Sequence, residues 1–108
     1  MCLVYFGKGI GSEQNGVRPA VVVQNDIGNK YSTTTLVCPV TSKSKKKMPT
    51  HVEITPNDCS VNENSVVLCE QSRVIDKQRM LKKLGEIKNM ELINEINHKI
   101  AISFGLGE

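Results

Sequence analysis

Few side chains in this sequence are equipped for chemistry, and their spacing excludes more than it supports. There are two histidines, His51 and His98, and four cysteines, Cys2, Cys38, Cys59 and Cys69, with no Cys-x-x-Cys pair among them. The ligand spacing of a zinc site is therefore missing, and no metal is expected. No serine stands in a Gly-x-Ser-x-Gly setting and no cysteine has an evident histidine partner, so nucleophilic hydrolysis finds no support. The run Gly7-Lys8-Gly9-Ile10-Gly11 has the glycines of a phosphate loop. It lacks the Gly-Lys-Ser/Thr step and the strand-loop-helix setting, and reads as a flexible loop.

What remains are cations, hydroxyls and a few polar groups at the ends of apolar runs. Lys43, Lys45, Lys46 and Lys47 fall on one polar stretch. Such a cluster either attracts a phosphate backbone through counterion release or is simply a solvated connection. Arg18, beside Pro19, carries a planar fork that can donate two parallel hydrogen bonds to an oxyanion, and it can equally form a rim salt bridge. Thr41, at the end of an apolar run, has a hydroxyl that both donates and accepts, or closes a turn. His51 reads as a structural hydrogen-bonding group at a loop-strand junction. His98 shares the polar side of a terminal helix with Glu91 and Glu95 and reads as solvated.

The elements that must position these groups belong to one small domain, residues 1–108. Apolar residues make up 39% of the chain, with no Trp, two Phe and two Tyr, so the core has to be built from Val, Ile and Leu, a composition suited to strands. No run approaches the roughly 20 apolar residues of a bilayer span, and the first residues lack a charged segment followed by a long apolar one. A soluble, cytosolic protein without structural disulfides is expected. Cys38 and Cys69 lie in apolar runs and should be buried, with Cys2 and Cys59 more exposed.

Strands are expected over 3–6, 20–23, 33–40, 51–55 and 65–69, each short and rich in β-branched residues. Asn25-Asp26 with Gly28-Asn29, and Pro56-Asn57-Asp58, mark turns. Residues 74–80 suggest a single helical turn and 81–87 an edge strand. From Met90 onward Leu92, Ile93, Ile96 and Ile100 recur at helical spacing. Several antiparallel strands followed by one amphipathic C-terminal helix make a small curled barrel the expected architecture.

Four blocks in order, GSEQNGVRPAVVVQNDIGNKYS, PVTSK, MPTHVEI and SVVLCEQSRVIDKQRM, resemble the motifs of MazF/PemK toxins and cover most of residues 11 to 80. The resemblance implies a mainly β, SH3-like barrel with short helices of the PemK/CcdB-like class, paired as a homodimer. It also implies a toxin of a toxin-antitoxin system: a sequence-specific endoribonuclease acting on single-stranded RNA, mRNA above all, with no metal or cofactor. In that family a ribose 2′-hydroxyl attacks the adjacent phosphorus, leaving a 2′,3′-cyclic phosphate and a 5′-hydroxyl end. The expected protein partner is a cognate antitoxin with an acidic, initially disordered C-terminal segment.

Matched to the family, Arg18 is the catalytic arginine and Thr41 the threonine paired with it, while Ser12, Gln14, Lys43, Met48, Glu70 and Gln71 contact RNA. Some members use a carboxylate base at the position of Glu70 with an arginine two residues earlier, where this chain has Leu68. The family commonly has Arg-Gly-Asp ahead of the first strand, where Met1-Cys2-Leu3 stands here. Two alternatives accompany this reading: a relative that binds RNA or antitoxin without cutting, and a CcdB-like toxin that binds a protein target such as DNA gyrase.

Overall fold

The computed structural model describes residues 1–7, 16–23, 32–42, 48–58, 61–103 and 105. Seven strands are formed: β1 (Cys2–Tyr5), β2 (Val17–Val22), β3 (Thr34–Thr41), β4 (His51–Ile54), β5 (Ser65–Leu68), β6 (Arg73–Asp76) and β7 (Met80–Lys83), with a C-terminal helix α1 (Met90–Ser103). Every pairing is antiparallel. The order across the sheet is β4-β5-β3-β2-β1-β7, with β6 added beside the first half of β3. The long strand β3 therefore carries β6 along Thr34–Val37 and β5 at Val40 and Thr41. Among the described residues the sheet curls without closing, since no pairing joins β4 to β7.

Both faces of this sheet are covered, which explains why β3 reads as a nearly continuous apolar run instead of an alternating one. On one face Val21, Cys38, Val40, Val52, Ile54, Val67 and Cys69 pack with Leu92 and Ile96 of α1. On the other, Cys2, Val4, Phe6, Ala20, Val37 and Ile75 form a second core where β1, β2, β3 and β6 wrap around one another. The period of two along each strand decides which residues go to which side. Phe6 is 2% exposed and, among the described residues, is the only aromatic ring in either core, so aliphatic side chains do most of the filling there.

Turn chemistry sets the ends. Gly7 and Gly16 both have a left-handed φ, +73° and +70°. They face each other across the β1–β2 connection, where Phe6 N–H donates to Gly16 O and Gly16 N–H to Gly7 O, each at 2.8 Å. A side chain at either position would be strained. Helix α1 begins at Asn89, whose Oδ1 accepts from the backbone of Glu91 at 3.0 Å and of Leu92 at 3.4 Å, satisfying donors that have no partner within the helix.

Three expectations need correction. Residues 74–80 do not form one helical turn: Arg73–Asp76 is a strand, and only Lys77–Arg79 turns, capped by Asp76 accepting from Gln78 N–H at 2.8 Å. The local sequence has enough polar residues for a turn, but pairing with β3 recruits its first half into the sheet. Strand β7 stops at Lys83, after which residues 84–89 run to α1 outside the ladder. Cys2 is buried, 8% exposed, because β1 lies between β2 and β7 instead of at an edge. Cys38 and Cys69 are buried as expected, and Cys59 lies outside the described residues.

Candidate functional site

Strands β2 and β3 pair with Ala20 opposite Pro39, Val21 opposite Cys38 and Val22 opposite Val37. Continued two steps toward the start of β2, this register brings Arg18 opposite Thr41. Directly opposed residues of an antiparallel pair project to the same face. Arg18 is also paired with Val4 of β1, and Thr41 with Val66 of β5. Across β5, Val66 is opposite Glu53 of β4. One cross-strand row thus runs Arg18, Thr41, Val66, Glu53, from half-buried through buried to exposed. It places a guanidinium fork and a hydroxyl where the sheet's second core gives way to surface. Twenty-three residues separate these two groups in the chain; strand register brings them together.

The second group of polar residues surrounds the short turn after β5, Cys69–Gln71. Glu70 is not a free carboxylate: Thr50 Oγ1 donates to its Oε1 at 3.2 Å, and His51 Nε2 lies 3.0 Å from its Oε2. The backbone reinforces this link, with His51 opposite Leu68 and Cys69 N–H donating to Thr50 O at 3.3 Å. Met48 is 40% exposed beside this cluster, and its carbonyl accepts from His51 N–H at 3.0 Å. Gln71 is half-buried at the end of the turn. Ser12, Gln14 and Lys43 lie outside the described residues. Of the residues singled out from sequence, the structure therefore puts Arg18 and Thr41 on the paired strands β2 and β3 and gathers Met48, Glu70 and Gln71 near the start of β4.

His51 is the structural hydrogen-bonding group it was read to be, but its partner, Glu70, is a candidate site residue. Thr50 and Glu53 were not singled out at all. A signal for Glu53 was present: His51 and Glu53 share one face of β4 by the two-residue period, while Val52 and Ile54 are fully buried on the other. Nothing in the sequence pointed to Thr50, whose part depends on which turn lies opposite it. Two more arginines stand over rings, Arg73 at 5.7 Å from the centre of Phe6 and Arg79 at 5.9 Å from that of Tyr5, adding positive charge along β6 and the turn that follows it.

Comparison with known proteins places the whole chain. Residues 1–104 match the family model of PemK-like, MazF-like toxins of type II toxin-antitoxin systems. The chain is 46% identical over 97 residues to an endoribonuclease MazF of Staphylococcus saprophyticus, an alignment covering 89% of this chain and 80% of that protein. Among solved structures, MazF of Deinococcus radiodurans superposes with a TM-score of 0.81 at 29% identity, over 97% of this chain and 92% of the other. A mycobacterial endoribonuclease solved with its cognate antitoxin shares the fold, with a TM-score of 0.78 at 21% identity over 99% and 92% of the two chains. Ordered motifs, a sheet with this strand order and a family match across nearly the whole chain converge, and the chain belongs to the PemK-like, MazF-like toxin family of type II toxin-antitoxin systems.

Proposed function

We propose that this chain is the toxin of a toxin-antitoxin pair and acts as a sequence-specific, metal-independent endoribonuclease on single-stranded RNA. The observation that carries the reading is the antiparallel pairing of β2 with β3, whose register, carried two steps past Ala20 and Pro39, would set Arg18 level with Thr41. Attack of a ribose 2′-hydroxyl on its own 3′-phosphorus concentrates negative charge on the phosphorane oxygens. The reaction needs little more than a held geometry and cations or donors aimed at those oxygens. Arg18 supplies two parallel donors and a positive charge. Thr41 holds a phosphate oxygen or relays the proton given up by the attacking 2′-hydroxyl to the leaving 5′-oxygen, so that the 2′-O–P bond forms as the P–5′-O bond breaks. The products are a 2′,3′-cyclic phosphate and a 5′-hydroxyl end.

Glu70, with both oxygens engaged by Thr50 and His51, suits recognition better than proton abstraction. Met48 and Gln71 line the same region, and Ser12, Gln14 and Lys43 enter this reading as RNA contacts through the motif resemblance alone. The partners that follow from this reading are RNA, a cognate antitoxin whose acidic segment competes for the same cations, and a second copy of the chain. The exposed apolar side chains of Val74 and Leu81, on β6 and β7, favour such pairing.

The test is cleavage of a long single-stranded RNA in EDTA by wild type, Arg18→Ala and Thr41→Ala, with the ends identified chemically. Cuts at short recurrent motifs, leaving 5′-hydroxyl ends and lost in both variants, are expected. Intact RNA that is nonetheless bound would replace the proposal with a binding-only toxin, and intact RNA without binding with a toxin acting on a protein.

A further inference from the structure

The Glu70 carboxylate is held more firmly than a solvated glutamate requires. Thr50 and His51 occupy one oxygen each, and the His51 side chain is only 8% exposed, against 22% for Glu70. The other ring nitrogen, His51 Nδ1, is buried and has no partner among the described residues. Leaving a buried ring nitrogen unpaired is unfavourable, so what this imidazole gains lies at Nε2, on Glu70. Backbone bonds from Cys69 N–H to Thr50 O and from His51 N–H to Met48 O fix the platform from which both donors act.

We propose that Thr50 and His51 are positioning residues that lock Glu70 as an acceptor-only reader of one RNA base beside the cleaved phosphate, selecting an amino-bearing base over uracil. The proposal rests on the RNA-cleaving reading above. A carboxylate only accepts hydrogen bonds. With one lone pair of each oxygen taken from the β4 side, what remains faces away from that strand in a fixed direction. Cytosine, adenine and guanine present an amino N–H to such a group. Uracil presents two carbonyl oxygens flanking a single N–H, and these repel it. Glu70 lies four residues beyond Val66, the partner of Thr41, which is about 10 Å along a strand and the following tight turn. That separation suits a neighbouring nucleotide and not the phosphate at Arg18.

Wild type, Thr50→Val, His51→Leu, His51→Gln and Glu70→Gln would be given a pool of single-stranded RNAs randomised over a short window. Cleavage sites are sequenced. The bound fraction is sequenced separately on a 2′-fluoro copy of the pool, which has no attacking hydroxyl. At one motif position wild type should disfavour uracil by about tenfold or more. Glu70→Gln should abolish that preference, and Thr50→Val and His51→Leu should reduce it to about threefold with other positions unchanged. His51→Gln, which keeps an N–H donor, should restore most of it. An unchanged preference in Glu70→Gln, or a uniform loss across all sequences in the clamp variants, would overturn the proposal, the latter pointing to a merely structural role. Binding with a Glu70-dependent preference but no cleavage would sink the RNA-cleaving reading and keep the base reader, whereas no binding to either pool would remove both.

Discussion

Arg18 and Thr41 illustrate how a few side chains acquire a role from their surroundings. Alone, an arginine beside a proline is as well explained by a rim salt bridge. Under the proposed function, with Thr41 on the neighbouring strand, it acts as an oxyanion clamp. Lysine keeps the charge but loses the planar fork, so Arg18→Lys should lower the cleavage rate by about 100-fold or more while leaving the thermal unfolding midpoint nearly unchanged; single-turnover kinetics and a melting curve check both halves. Cys38 supports a prediction of another kind. Contact with the Cys69 thiol and burial push the Cys38 thiol far above its ordinary range, so the folded protein keeps that proton and the unfolded chain releases it above about pH 8.5. Its contribution to stability is therefore present below that pH and lost as pH rises beyond it, by up to about 1.4 kcal/mol per pH unit. Urea unfolding from pH 7 to 10 should show this decline in wild type, less steep in Cys38→Ala.

At the scale of elements, the face of α1 that carries Leu92 and Ile96 seals the core behind β3, β4 and β5. The helix touches the site's second cluster indirectly: Ser103 Oγ donates to Cys69 O at 3.4 Å, next to Glu70. Ile96→Ala should cost about 2–5 kcal/mol through the cavity it leaves, and Asn89→Ala about 1 kcal/mol through the lost cap; denaturant midpoints at constant slope would measure each. The amphipathic spacing that announces α1 is local, and the helix was legible from Met90 onward. Most strands were legible within a residue or two for the same reason. Strand β6 was not, because Arg73–Asp76 has no alternation strong enough to declare itself and becomes a strand only by adding to the free edge of β3.

For the whole molecule, net charge is +3 over 108 residues, and four of the lysines lie within residues 43–47. If RNA is bound through them, its affinity should fall linearly with salt on logarithmic axes, and replacing all four by alanine should flatten the slope by about 3; an unaltered slope in a fluorescence titration would place the phosphate contacts elsewhere. The class of fold, the β-rich core, the terminal helix and the family resemblance were legible without coordinates. These rest on composition, periodicity and ordered motifs, which are properties of neighbouring residues. It took the folded chain to show that the strands of Arg18 and Thr41 pair, that Glu70 is clamped by Thr50 and His51, that Cys2 is inside and that β6 is a strand. Each of those depends on strand register or on which edge is left open, and register links residues across the sheet that have no relation along the chain.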